Sequence, residues 1–271
     1  MEVSINMSDK TLKDVRTQPF KKVNRGNLPI FKILLGIILV AVITVGGYVI
    51  YKGYKVSNNV GFQFKPSDIL QPKNPELKKD STGKYTSAMI IGIDTRDSGN
   101  LMNTDTIIVV TYKYDTKDLI MTSVPRDFYV KIFPDKSTYN KINSVYASHE
   151  QRKKGSGMDG LKSVVEEITN IEIQYYAMID YKGFVQLIDA VGGIDVNVEN
   201  SFTDYMYPKG NGYQTVSFKS GPQTMDGETA LKYSRSRHSM QNNEGSDFAR
   251  ARRQQNVIAA FSDTVTSSKT L

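Results

Sequence analysis

Five arginines and two aspartates, set in short phrases along the later part of a 271-residue chain, are the side chains best placed to do chemistry. The phrases are Gly92-Ile93-Asp94-Thr95-Arg96, Asn103-Thr104-Asp105-Thr106, Val124-Pro125-Arg126-Asp127, Tyr233-Ser234-Arg235-Ser236-Arg237 and Ser246-Asp247-Phe248-Ala249-Arg250. A guanidinium is a planar fork that grips phosphate bidentately. Two carboxylates offer hard oxygens to a divalent cation that also bridges phosphate oxygens. The set points to a Mg²⁺-assisted diphosphate site with Asp94 and Asp105 as candidate metal ligands.

Each residue also has a bland reading. Asp94 closes one apolar run and Asp105 opens the next, and a lone Asp there is more often a turn or cap residue. Two strand ends at one sheet edge, however, bring both within reach of one ion. Arg126 follows Pro125 and can simply pair with Asp127 on the surface. Arg235 and Arg237 share a face only where the backbone is extended, which requires the preceding helix to end near Tyr233. Arg250, Arg253 and Gln254 share one face of the last predicted helix, with Arg252 pointing to solvent. The two histidines, His149 and His238, supply a zinc site or a Ser-His-Asp triad poorly. The chain has no cysteine, no Gly-x-Ser-x-Gly elbow and no Walker loop.

The elements that must position these residues begin with a membrane anchor. Residues 33–51 form an almost unbroken apolar run, long enough as a helix to span about 30 Å of hydrocarbon. Residues 1–32 carry seven Lys or Arg against three Asp or Glu. The positive-inside rule then places this tail in the cytoplasm and the remainder outside the cell membrane, single-pass. The formal net charge is +7, of which the tail holds +4, leaving +3 dispersed over the rest. That balance excludes a nucleic-acid surface. Residues 52–84 shift to Asn, Pro, Lys, Ser and Gly and read as an extracytoplasmic linker.

Residues 85–271 read as one α/β (α+β) domain, a central mixed β-sheet flanked by helices on both faces. Strands are expected at 87–93, 106–114, 119–124, 175–179 and 194–198. Helices are expected at 139–153, up to Asn170 through Leu161, Val164, Val165 and Ile168, at 181–191 before Gly192-Gly193, at 227–233 and at 248–261.

The phrases, together with Lys141-Ile142-Asn143, Asp189-Ala190-Val191-Gly192-Gly193-Ile194-Asp195 and Gly227-Glu228-Thr229-Ala230-Leu231-Lys232, resemble the signatures of LytR-CpsA-Psr proteins in order and separation. The resemblance runs from about Ser87 to Phe261 and includes the anchor. It implies a transferase that moves a glycopolymer (wall teichoic acid or capsular polysaccharide) from a polyprenyl-diphosphate carrier to a muramic acid hydroxyl of peptidoglycan. It implies that Asp94 and Asp105 hold Mg²⁺, that Arg96, Arg126, Arg235, Arg237 and Arg250 grip the diphosphate, and that Gln254 lies nearby. Asp105, Arg126 and Arg237 become the catalytic candidates, with Asp105 or else Asp127 taking the acceptor's proton. The lipid tail is expected in an apolar tunnel, for which Leu161, Val164, Ile168, Phe184 and Leu187 are candidates, each also an ordinary core position. Family members usually continue beyond the equivalent of Phe261, so either the tail is short here or the sequence is truncated. A lipid-diphosphate-binding regulator (transcriptional attenuator type) and a polyprenyl pyrophosphatase are the alternative readings.

Overall fold

A computed structural model describes residues 60–62, 77–94 and 103–267. The cytoplasmic tail, the apolar run at 33–51 and most of the linker lie outside the described residues. In chain order the strands and helices are β1 (Val60–Phe62), β2 (Tyr85–Asp94), β3 (Asn103–Lys113), β4 (Asp118–Ser123), β5 (Tyr129–Lys131) and β6 (Tyr139–Lys141). A 3-10 turn (Ile142–Ser144) leads to α1 (Val145–Arg152), α2 (Gly157–Thr169), β7 (Tyr175–Asp180), α3 (Tyr181–Ala190) and β8 (Ile194–Val198). Then come β9 (Phe202–Lys209), β10 (Gly212–Phe218), β11 (Gly221–Met225), α4 (Gly227–Arg235) and α5 (Asp247–Ser267).

The central sheet has the order β1-β7-β2-β3-β4. It is mixed because β2 runs parallel to β7 and antiparallel to β3. Side-chain alternation gives β2 and β3 two apolar faces. Met89, Ile91, Ile93, Ile107 and Val109 pack on one face with Val145 and Tyr146 of α1 and Leu161, Val164 and Val165 of α2. Ile108 and Val110 face the other way, against Ile258 of α5. Helices therefore cover both faces.

A second core lies in the C-terminal half, where β8 pairs with β11 and β9 with β10 as two-stranded ribbons. Ile194, Val196, Phe202, Phe218, Met225, Tyr233 and Val257 are buried together there. Val257 belongs to this core while its neighbour Ile258 packs on the central sheet, so α5 bolts the two together.

Three expectations change. The stretch 139–153 is not one helix: 139–141 is a strand of the β5–β6 ribbon and α1 starts only at Val145. The ribbon gives Tyr139 and Asn140 ladder partners that a polar, poorly amphipathic helix would lack. Part of the expected linker joins the fold, since Val60–Phe62 pairs antiparallel with β7 and Lys78 N donates to Tyr175 Oη at 2.8 Å. The helix at 227–233 runs on to Arg235, ending where Ser236 turns extended at ψ 136°. The helix ends read from Asn170 and Gly192-Gly193 match α2 and α3, with Asn170 left-handed at φ 53°.

Candidate functional site

The β2–β3 ladder is in register until Gly92 faces Thr106, and then Ile93 faces Thr104. Asp105 is the extra residue of this bulge, which re-aims its side chain out of the ladder alternation. The bulge opens onto a cleft lined by Gly92, Asp105, Thr106, Arg126, Tyr181, Asp204, Tyr207, Pro208, Arg235, Arg237, His238, Arg250 and Gln254. Residues from six elements and two loops meet here. A Cβ at Gly92 would sit 3.0 Å from that of Thr106, so a larger residue there requires Thr106 to give by a few tenths of an ångström.

Of the residues singled out from sequence, Asp105, Arg126, Arg235, Arg237, Arg250 and Gln254 share this cleft. Arg96 lies outside the described residues, and only the backbone of Asp94 is described, at the end of β2 opposite Asn103. Asp127 does not line the cleft; Lys141 Nζ holds its Oδ1 at 2.5 Å and keeps its carboxyl below the ordinary range. The tunnel candidates do not form one wall. Leu161 and Val164 are in the core under α1 and α2, Phe184 packs against the second core, and Ile168 is exposed.

The guanidinium groups are held in different ways. Arg126 Nη1 donates to Asp105 Oδ1 at 3.0 Å. Burial works against the Arg126 charge, but Asp105 and then Asp127 outweigh it and raise its pKa. Arg235 lies flat over the Tyr181 ring at 3.7 Å from its centroid, and its Nη1 donates to Tyr207 Oη at 3.3 Å. Such a contact fixes a cation's plane while leaving donors free. Arg250 pairs with Asp247 at 3.1 Å, and its pKa is lowered, first by burial and further by Arg126 and Arg237. The positive charges thus crowd one another enough to register, which favours an anion between them.

Two buried nitrogens on this cleft, Arg126 Nε and His238 Nδ1, have no hydrogen-bond partner. Each instead faces a carboxylate without closing a hydrogen bond, Arg126 Nε at 3.5 Å from Asp127 Oδ2 and His238 Nδ1 at 3.8 Å from Asp204 Oδ1. Gln254 Nε2 donates to Thr106 Oγ1 at 3.0 Å, tying α5 to the bulged strand.

Arg253 and Arg252 depart from their expected places. Arg253 is turned inward at 1% exposure rather than toward the cleft, and Arg252 pairs with Glu199 and Glu244 rather than with solvent alone. Sequence reading missed Tyr181, Asp204 and Tyr207. An aspartate inside the alternating run Phe202–Lys209 was the available signal for Asp204, because an acid on the buried face of a strand needs partners.

Comparison with known proteins places this arrangement in context. The model of the LytR_cpsA_psr family matches residues 49–271. The polyisoprenyl-teichoic acid–peptidoglycan teichoic acid transferase TagU of Bacillus subtilis is 31% identical over 225 residues, 83% of this chain and 66% of TagU. The protein of the same name from Enterococcus faecalis is 32% identical, over 88% of this chain and 72% of that one. The chain thus spans about two thirds of the length of these relatives. Among solved structures, B. subtilis TagV superposes with a TM-score of 0.55 at 30% identity, covering 69% of this chain and 67% of that one. A structure of TagT bound to LIIa-WTA superposes at 0.52 with 25% identity, covering 73% and 69%.

Proposed function

The chain belongs to the LytR_cpsA_psr family, and from that premise we propose that it is a membrane-anchored transferase. In this reading it moves a glycopolymer of the wall teichoic acid or capsular type from a polyprenyl-diphosphate carrier to peptidoglycan through a phosphodiester. The observation that carries it is the convergence of Arg126, Arg235, Arg237 and Arg250 from separate segments on the cleft that holds Asp105. Four forks against two carboxylates, Asp105 and the buried Asp204, suit a diphosphate far better than a neutral sugar. The relatives' names, and the bound state of the TagT structure, agree with that class of donor. The apolar run at 33–51 would anchor the chain, with the domain on the extracytoplasmic side where both substrates lie.

The chemistry asked of the protein is positioning and charge neutralisation. The acceptor hydroxyl attacks the phosphorus bearing the glycan. The anhydride P–O bond breaks, a phosphodiester forms, and the lipid monophosphate leaves with the electron pair. Arg126 and Arg237, both lining the cleft, stabilise charge gathering on the transferring and departing oxygens. Asp105 is the carboxylate placed to take the hydroxyl proton, since Asp127 is engaged by Lys141 and outside the cleft. Arg235 and Arg250 orient the diphosphate, and Gln254 braces the strand beneath it.

Asp94 and Asp105 would hold Mg²⁺, which when bound neutralises charge across two phosphates. They fit in kind, as hard oxygen donors at one end of the β2–β3 ladder. Among the described residues no group of three or more His, Cys, Asp or Glu gathers, so substrate oxygens would complete the shell, as is usual for this ion.

The test is incubation of the full chain with a lipid-diphosphate-linked glycan, Mg²⁺ and peptidoglycan oligomers. A new phosphodiester with release of lipid monophosphate is expected. Binding without linkage would replace the reading by that of a regulator, and hydrolysis to water by that of a pyrophosphatase.

A further inference from the structure

Arg235 is the last residue of α4, and the chain turns extended at Ser236, carrying Arg237 and His238 away from the helix. Two buried charged residues from elsewhere hold this segment in place. On one side stands Arg253 of α5, 1% exposed. Its Nε donates to Tyr233 O at 2.8 Å and its Nη2 to Ser236 O. Its Nη1 donates to Glu244 O at 2.8 Å and to Glu244 Oε2 at 2.5 Å. The carbonyls of 233 and 236 bracket Arg235, so one planar fork spans the turn from helix to extended chain and ties it to the loop that leads into α5.

On the other side stands Asp204 of β9, fully buried. Its Oδ2 accepts from Arg237 N at 3.0 Å and His238 N at 3.3 Å, while Oδ1 accepts from Met206 N at 2.9 Å. The His238 ring, whose Nδ1 lies 3.8 Å from Oδ1, leans over the same carboxylate. Two successive backbone N–H groups pointing at one oxygen set the direction in which the Arg237 side chain departs. A buried charge with this many partners exceeds what stability alone demands, because an apolar residue of similar volume would often serve as well.

We propose that Arg253 and Asp204 are positioning residues, setting the spacing at which Arg235 and Arg237 meet a diphosphate, Arg253 from behind the cleft and Asp204 from within its wall. This rests on the reading of the cleft as a diphosphate site. Arg253→Lys keeps the charge opposite Glu244 but cannot reach three carbonyl oxygens in one plane. Asp204→Ala leaves the two N–H groups bare, whereas Asp204→Asn retains an oxygen that can accept from both.

The experiment measures affinity of the full chain in detergent for geranylgeranyl diphosphate with Mg²⁺, by calorimetry. Arg253→Lys and Asp204→Ala are each expected to weaken it about tenfold, and Asp204→Asn to restore it to within about threefold of the parent. In an Arg237→Ala background, Arg253→Lys is expected to weaken binding by only about threefold, because part of its effect has lost its route. Val165→Ala, in the core under α1 and α2, serves as a control that lowers thermal stability while leaving affinity unchanged. Equal losses from Arg253→Lys in both backgrounds, or Asp204→Asn as weak as Asp204→Ala, would overturn the proposal. A parent chain that does not bind the probe overturns this inference and the diphosphate reading together. A parent that binds, with Arg253→Lys no different from the control, overturns this inference alone. Should Arg253→Lys not fold, the Asp204 pair decides.

Discussion

Arg126 Nη1 and Asp105 Oδ1 meet at 3.0 Å, joining the loop after β4 to the bulge in β3. The pair is about four-fifths buried, with side-chain exposures of 21% and 22%. Arg126 Nε lies 3.5 Å from Asp127 Oδ2 without closing a hydrogen bond. The fork is thus anchored between two carboxylates while Arg126 lines the cleft.

Arg126→Ala is therefore expected to lower the rate of phosphodiester formation by about 10²–10³-fold, the scale seen when a donor to developing charge is removed. Arg237→Ala is expected to act similarly. Circular dichroism should show the fold retained in both. Near-normal turnover by the two variants would remove the assignment.

Tyr181 supports Arg235 through its ring face at 3.7 Å, and the Tyr207 ring centroid lies 5.6 Å from the same guanidinium. Tyr181→Leu keeps apolar bulk and loses the π face. A partly exposed contact of this type is worth about 0.5–1 kcal/mol, so KM for the lipid-diphosphate donor is expected to rise about two- to fivefold with kcat little changed. A large fall in kcat at constant KM would instead put Tyr181 in contact with the reacting atoms.

The convergence of these residues was more legible in sequence than the reason for it. Asp105, Arg126, Arg235, Arg237, Arg250 and Gln254 were singled out as phrases, and all line one cleft. The central strands were legible because β2 and β3 are continuous apolar runs, a pattern dictated by burial on both faces. The ribbon β9–β10 was not, since alternation in β9 stops after Asp204 at exposed Tyr205 and Met206, and β10 carries a bulge between Gln214 and Val216. Periodicity places a residue on a helix face but does not say what that face meets. Arg250 and Arg253 are three apart, yet one lines the cleft and the other closes on carbonyls 17 and 20 residues away. That difference is set by long-range packing of α5 against α4, which spacing within α5 does not encode.

The proposed metal gives a third expectation. Chelation by EDTA should abolish transfer, and Mg²⁺ should restore it. Asp94→Asn is expected to raise the Mg²⁺ concentration needed for half-maximal rate, because one anionic oxygen leaves the shell. Asp105→Asn should do the same and also lower the rate at saturating Mg²⁺, since it removes the proposed proton acceptor. Unchanged turnover in EDTA would separate the diphosphate site from any metal.

Gly227 provides a test on stability. It begins α4 where that helix crosses α3, and a Cβ there would lie 2.3 Å from Val185 O and 2.7 Å from Val185 Cα. Both are backbone atoms, so no side-chain rotation relieves the clash and one helix must shift. Its N–H also donates to Asp189 Oδ1 at 2.7 Å, which pins the two helices at this point. Gly227→Ala is expected to destabilise the protein by about 1–3 kcal/mol, read as a lowered Tm in thermal unfolding. Because α4 ends in Arg235, the shift should also weaken binding of a prenyl diphosphate probe. A variant with parental Tm would mean that α3 and α4 can slide apart at no cost, and the tight crossing would then have no part in placing Arg235.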